Sequence, residues 1–384
     1  MKDRIFILAD DLTGAAELGG IACEFGLTVR ILFEPDKVKF HKEDVIIIDS
    51  DTRSLKPDHA FNKITEIISA IDFTDFSVIY KKVDSILRGP IVSEIRAMLN
   101  VINFNSAVLI PANPSKNRII RSGVYYIDKV PVNQTNFRSD PEYPRYSEYV
   151  MDLIIDSFDN IVTGNDLDIF DQGGIIIPDI TSEEELESFV LKLPEKGILF
   201  SGAADFFSNI LSSRIKLQRQ KKVSRLFLQH SSCFIIGSYT ESSKKTIRSL
   251  KEKNYAIFQL PVAAIDNEDK FIEWAQNIIK VIDHKRIVIS RPSERIGDSE
   301  KIMKITNRLV NIAEVMVKKI PARSQLFIEG GGTASQFFRL MEWNDLKIGQ
   351  VFGPGVVSII PGFNEIDIII KPGSYHWPDR LIYS

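Results

Sequence analysis

Four groups of polar residues stand directly behind apolar runs, and their side-chain types suit the binding of a small, hydroxylated anion. Asp10, Asp11, Thr13 and Gly14 follow RIFILA; Asp49, Asp51, Thr52 and Arg53 follow DVIII; Lys82, Asp84, Ser85 and Arg88 follow SVIYK; Pro111, Ala112 and Asn113 follow AVLI. Adjacent carboxylates such as Asp10 and Asp11 repel each other and lose solvation if buried without partners, so a strand end with no ligand gains little from them. Arg88 can fork onto a carboxylate, while aspartates accept hydrogen bonds from hydroxyls. Three of the groups also have a plain structural reading. Asp11 or Thr13 can cap a helix starting near Gly14, Asp84 and Arg88 can form an i,i+4 helical ion pair, and Asp51 with Arg53 can be a solvated turn. One site accounts for all four ends at once, whereas the structural readings need a separate account for each.

The second half of the chain carries glycines in the same places. QLFIEGGGTASQFF runs from an apolar stretch into Gly330, Gly331, Gly332 and Thr333 and then a helical pattern. Such a turn lets a backbone approach phosphate closely, with the amides and dipole of the helix start favouring an anion. It matches neither the Walker pattern nor G-x-G-x-x-G. CFIIGSYTESSKKT repeats the arrangement with Gly237, Ser238 and Thr240, FGPGVV adds Gly353 and Gly355, and IDIIIKPGS ends in Lys371 and Gly373.

Elements must hold these residues, and composition bounds them. A chain of 384 residues with 44% hydrophobic content can bury a large core and favours two domains. Short β-branched runs alternate with helical patterns throughout, as in parallel sheets with crossover helices, and their continuous apolar character fits strands covered on both faces. The expected fold is α/β with two domains, each a mostly parallel sheet. The basic stretch from Ser212 to Leu226 reads as a solvated connection and sets the boundary, giving domains 1–222 and 223–384. Arg118 to Pro144 lack a sustained period and read as a long excursion from the first sheet. The formal charge of −3 comes from interspersed signs, which argues against nucleic acid and anionic membrane as partners. Two distant cysteines exclude a disulfide framework and suggest a reducing, cytoplasmic setting, and five scattered histidines offer no metal site. No apolar run has the length of a signal peptide or membrane span.

The motifs ADDLTGA, DTRS, KVDSILRG and PANP, followed in order by GSYT, GGGTA and KPG, resemble the four-carbon acid sugar kinase family over nearly the whole chain. The resemblance implies a substrate-binding N-terminal domain, a nucleotide-binding C-terminal domain, an active site in the cleft between them, and ATP-dependent phosphorylation of a terminal hydroxyl of threonate, erythronate or a 3-oxo relative. Asp10, Asp11, Lys82, Asp84, Ser85 and Arg88 fall on its substrate-side motifs, and Ser238, Gly330 to Thr333 and Gly373 on its nucleotide-side motifs. Asp51, Arg53 and Asn113 join the substrate side as strand-end residues, and Gly355 the nucleotide side. Arg88, assisted by Lys82, is then expected to hold the substrate carboxylate or a transferring phosphate oxygen. One of Asp10, Asp11 and Asp84 takes the hydroxyl proton, and Mg²⁺ accompanies ATP; a homodimer is a possible assembly. The chain departs from the family at Gly332, where Glu is usual, at Pro372, where Ser is usual, at Tyr375, and at SGAADF (Ser201 to Phe206). These departures keep a non-catalytic sugar-acid sensor as the rival reading. An aspartyl-phosphate phosphatase is disfavoured because neither Asp10-Asp11 nor Asp49-Ser50-Asp51 has the required D-x-D spacing with its downstream residue.

Overall fold

The computed structural model describes residues 4–140, 143–156, 160–165, 167, 169–220, 224, 228–229, 231–282, 286–322, 324–362, 366–373, 375–378 and 381. By internal contacts the chain divides into two compact units, residues 1–221 and 222–384. Residues 221–223, where the sequence set the boundary, lie outside the described residues.

The first unit holds strands β1 (Ile5–Ala9), β2 (Val29–Leu32), β3 (Val45–Asp49), β4 (Val78–Lys82), β5 (Ser106–Ile110), β6 (Arg118–Arg121), β7 (Val124–Ile127), β8 (Val130–Pro131), β9 (Ile161–Thr163), β10 (Gly174–Ile177) and β11 (Ile198–Gly202). Its main sheet runs in the order β2-β3-β1-β4-β11-β5-β10-β9, with parallel pairings. β1, β3, β5, β10 and β11 are buried along their full length, as strands sandwiched between helices must be. Helix Leu12–Glu24 carries β1 to β2 and buries Ala15, Ala16, Gly19, Gly20 and Ala22, small residues that let it lie close to the sheet. Helix Ile91–Ile102 carries β4 to β5 in the opposite direction. A crevice therefore opens beyond the carboxyl ends of β1 and β4, where the winding reverses. Ala9 is level with Asp49 on one side and Lys82 on the other, so three loops leave the sheet together.

The stretch from Arg118 is more ordered than its sequence suggests. β6, β7 and β8 form a small antiparallel sheet. Its strands are too short to display a period, and their connections are two-residue turns with positive φ at both centres: Ser122 and Gly123 (50° and 72°), Asp128 and Lys129 (49° and 68°).

In the second unit β12 (Ser232–Ile236), β13 (Ala256–Gln259), β14 (Arg286–Ser290), β15 (Gln325–Glu329), β16 (Asp345–Gly353), β17 (Val356–Pro361) and β18 (Asp367–Lys371) lie in the order β13-β14-β12-β15-β18-β17-β16. The first five are parallel, and β17 is antiparallel to both β18 and β16. The sequence of β16, DLKIGQVFG, does not read as a strand, because it mixes charge and glycine on an antiparallel hairpin and lacks the continuous apolar character of a strand covered on both faces. β12 leads toward β13 on one side and β15 toward β16 on the other, which puts this unit's reversal between β12 and β15. Phe234 stacks on Phe327 with ring centroids 4.3 Å apart, and Trp377 meets both edge-on, at 6.0 and 5.4 Å.

Candidate active site

At the β1/β4 crevice the predicted acids and cations meet as two interlocked forks. Arg53 donates through Nε to Asp10 Oδ2 at 2.8 Å, through Nη2 to Asp10 Oδ1 at 3.0 Å, and through Nη1 to Asp11 Oδ2 at 2.5 Å. Arg88 donates through Nε to Asp84 Oδ2 at 3.0 Å and through Nη2 to Asp84 Oδ1 at 2.8 Å. The two are joined where Arg53 Nη1 lies 4.0 Å from Asp84 Oδ1. Asp10 is 1% exposed. Burial alone would push its carboxyl up, but the charges of Arg53 and Lys81 outweigh that and hold it below its ordinary value. Burial opposes ionisation of Asp84 too, and Arg88 and Arg53 overcome it to hold that carboxyl well below the usual carboxylate range. The same carboxylates raise Arg53 above its ordinary value against its own desolvation.

The structural roles weighed against function are present in the same side chains. Asp11 caps helix Leu12–Glu24, accepting from Gly14 N at 2.7 Å, while Thr13 Oγ1 donates to its other oxygen at 2.5 Å. Asp84 and Arg88 do pair at i,i+4, but across a turn: Asp84 Oδ2 accepts the amides of Ile86 and Arg88 at 3.2 Å each, and Leu87 takes a φ of 63°. Asp51 sits on an exposed turn with φ 49°, outside the buried charges. Lys82 donates to Val83 O at 2.8 Å and lies 3.6 Å from Glu17, which also binds Lys116 at 2.6 Å. The buried Asn113 accepts from Asp205 N at 2.9 Å, within the SGAADF departure, and Ser85 Oγ accepts from Arg118.

Residues the sequence did not single out support this crevice. Glu94, buried on helix Ile91–Ile102, takes the Thr52 hydroxyl and lies 2.8 Å from the buried Lys81, anchoring the loop that carries Arg53; burial pushes its own carboxyl up. Tyr143 donates to Arg53 O at 2.5 Å and Asp140 lies 3.5 Å from Arg88 Nη1, so the end of the long excursion from the first sheet contacts the site. Arg145, just beyond it, is 3% exposed.

In the second unit the expected nucleotide residues gather beyond β12, β15 and β18. Ile236 is level with Glu329 and Glu329 with Lys371, so Gly237, Gly330 and Pro372 leave the sheet at one height. Gly330 has φ 108°, a conformation that side chains rarely adopt, and precedes helix Gly331–Leu340. A Cβ at Gly373 would come within 2.7 Å of Ser238, so those two turns require the close approach glycine permits. Thr333 packs against Gly237, and Gly355 turns the β16–β17 hairpin beside Pro372 and Tyr375. Gly332 is exposed with no atom within 4 Å of where a Cβ would sit, so its lack of a carboxylate is not forced by space.

Beneath these turns Lys371, already conspicuous at the end of IDIIIK, pairs with Glu329 at the end of QLFIE. Glu329 and Lys371 are both 0% exposed and 3.3 Å apart. Ser238 Oγ donates to Glu329 Oε1 at 2.5 Å, Ser243 donates to the same oxygen, and Trp377 Nε1 donates to Oε2 at 2.8 Å. Trp377 is 2% exposed and packs in the core, while the neighbouring His376 is exposed and contacts Ser242 at 3.0 Å. Among the described residues no three His, Cys, Asp or Glu side chains gather to hold a metal ion, and no helix is long and apolar enough to cross a membrane.

Two α/β units, one with forked charges at its sheet reversal and one with glycine turns at its own, define a two-domain ligand-binding protein. Residues 5–210 match the family model described as a sugar-binding N-terminal domain, and residues 233–375 match that of a nucleotide-binding C-terminal domain. The chain belongs to the four-carbon acid sugar kinase family. It is 31% identical over 155 residues to D-erythronate kinase of Heliobacterium modesticaldum, covering 39% of this chain and 35% of the relative. It is 26% identical over 152 residues to D-threonate kinase of Salmonella typhimurium, covering 39% and 36%. The match thus spans about a third of those relatives' length. A 3-oxo-tetronate kinase of Haemophilus influenzae is 21% identical across 98% of both chains. In fold, the chain resembles a solved DUF1537 protein of Haemophilus influenzae, with TM-score 0.69 and 19% identity over 98% of each. It also resembles a solved chain of Salmonella typhimurium LT2, with TM-score 0.76 and 16% identity over 97% of this chain and 96% of that one.

Proposed function

We propose that this protein transfers the γ-phosphoryl group of ATP to a terminal hydroxyl of a four-carbon sugar acid of the threonate, erythronate or 3-oxo-tetronate type. The observation that carries the reading is the ring of Asp10, Arg53, Asp84 and Arg88 at the first unit's sheet reversal, where ionised carboxylates and fixed guanidinium groups are preorganised for a polyhydroxy ligand. Names among the relatives support the substrate class, and the backbone turns at Ser238, Gly330 to Thr333, Gly355 and Gly373 suit a nucleotide's phosphates.

In the transfer, the acceptor oxygen bonds to the γ-phosphorus as the bond to the β,γ-bridging oxygen breaks, and ADP leaves. Most of the rate comes from positioning and electrostatics. Asp10, Asp11 and Asp84 are the carboxylates available to orient the hydroxyl. With Asp10 and Asp84 held below their ordinary values, proton uptake by either comes late, as the phosphoryl group arrives. Arg88 and Lys82 supply positive charge. Mg²⁺ would come with ATP, held by phosphate oxygens and water.

The test is ADP release with Mg·ATP across both stereoisomers of threonate and erythronate and their 3-oxo forms. Turnover with one of them supports the kinase; ATP binding without turnover points to another acceptor. The exposed, carboxylate-free Gly332 is the observation that favours the sensor reading. That reading requires calorimetry to find sugar-acid binding without ATP binding.

A further inference from the structure

An acid substrate brings a carboxylate into a crevice already lined with aspartates, and it needs a cation whose donors those aspartates do not hold. Four arginines stand around the crevice. Arg53 has Nε, Nη1 and Nη2 engaged by Asp10 and Asp11. Arg88 has two nitrogens on Asp84 and the third 3.5 Å from Asp140. Arg145 is shut in: its Nη1 donates to Leu153 O at 3.0 Å, and its Nε and Nη2 are buried away from solvent.

Arg118 is different. It is half-buried, and among the described residues its guanidinium pairs with no carboxylate; its hydrogen-bond partner is the Ser85 hydroxyl. Its position is fixed from several sides. Asn113 N donates to Arg118 O at 2.8 Å and Arg118 N donates to Asn113 O at 3.1 Å. The guanidinium lies 6.0 Å from the Phe137 ring centroid, and Tyr125 holds the Ser85 carbonyl at 2.5 Å. A preoriented guanidinium beside a hydroxyl that accepts from it and still has a proton to donate matches the two oxygens of a carboxylate.

We infer that Arg118, with the Ser85 hydroxyl, receives the carboxylate of the substrate. This inference rests on the sugar-acid reading above. It leaves Arg88, fixed on Asp84, to supply charge toward the transferring phosphoryl group, and it makes Arg118 the residue that separates acids from neutral polyols of the same length.

The test compares wild type with Arg118→Ala and Arg118→Lys in the ADP-release assay. It reads KM for the acid that turns over, KM for ATP, and the inhibition constant of the four-carbon polyol in which CH₂OH replaces the carboxylate. Loss of a charge-assisted pair should raise the acid KM by about 10- to 100-fold in the Ala variant. The polyol constant and the ATP KM should stay within about twofold on the same grounds, since the polyol never made the contact. The Lys variant should fall between, because it keeps charge and loses the fork; it carries the test alone if the Ala variant does not fold. Equal loss toward acid and polyol would mean that Arg118 merely braces the turn at Ser85, and would overturn the inference while the kinase reading stands. A wild-type protein inactive toward every acid, and binding none, would instead overturn the sugar-acid reading and this inference with it.

Discussion

Arg53→Met is the sharpest probe of the charge ring, because it keeps most of the apolar stem and deletes the fork. Asp10 is 1% exposed and both its oxygens are held by Arg53, at 2.8 and 3.0 Å. Removing one partner of such a pair costs about 3–5 kcal/mol. At about 2–4 °C per kcal/mol for a unit of this size, the first unit should melt about 6–20 °C lower. The contribution of Asp10 to the pH dependence should also reverse, while that of Asp84, held down first by Arg88, keeps its sign. In the wild type, Asp10 is depressed, so its stabilisation is present above the ordinary aspartate value of about 3.9 and is lost as pH falls through the lower folded value. Without Arg53 only the charges of Lys81 and Lys82 oppose burial, and the expected outcome is a folded carboxyl above its unfolded value. The contribution of Asp10 to stability then declines as pH rises through about 4 and levels off above the new folded value. Adding Asp10→Asn should recover most of the loss. Trp274, Trp343 and Trp377, all the tryptophans of the chain, lie in the second unit, so circular dichroism should show the early transition and tryptophan fluorescence should not. An Arg53→Met protein within about 1 kcal/mol of wild type, or one whose deficit relative to Arg53→Met/Asp10→Asn does not grow as pH rises, would refute the claim that Arg53 neutralises Asp10.

Asp84→Asn should lower kcat by about 10²-fold or more in the ADP-release assay, with ATP KM little changed; a rate within threefold of wild type would remove Asp84 from the chemistry. Lys371→Met strands the fully buried Glu329, 3.3 Å away, and should cost about 3–5 kcal/mol in tryptophan-monitored urea unfolding. Adding Glu329→Gln should restore part of that, and strict additivity of the two substitutions would show the pair uncoupled. Gly332→Glu puts a carboxylate into open space near a helix N-terminus and should stabilise the second unit by about 0.5–1 kcal/mol; destabilisation would mean the space is not open.

The inner strands of both parallel sheets were legible because burial leaves them almost wholly apolar, whereas the edge strand β9, three residues long and largely exposed, was not; the strand-end acids and cations were legible because they break the apolar pattern abruptly. Nor were β16 and the β6–β8 sheet: β16 mixes charge and glycine along its nine residues, and β6 to β8 are too short to show a period. The supporting carboxylates were half-legible. Glu94 follows Ile91 by three residues and precedes Met98 by four, which puts it on the apolar face of its helix, and Glu329 ends a strand that is otherwise apolar apart from its first residue. A carboxylate in such a position must have a buried partner. What no local pattern reveals is which partner: Lys371 lies 42 positions from Glu329, and Arg118 lies 33 from Ser85.

At this crevice structural and functional roles are not rivals, because one side chain performs both. Asp11 caps a helix with one oxygen and receives Arg53 on the other; Asp84 ties down its own turn while accepting the fork of Arg88. A guanidinium held by an acid that is itself fixed to backbone amides cannot drift, and such rigidity serves an enzyme that works by positioning. It serves a sensor equally well. The first unit therefore does not discriminate the two readings, and the decision falls on the second unit, where Glu329 and Lys371 neutralise each other beneath the glycine turns. With that pair neutral, the cation nearest the glycine turns among the described residues is Arg291, whose Nη1 donates to Gly237 O at 3.4 Å, so nucleotide affinity should depend on Arg291 and the turn at Gly330 more than on Lys371.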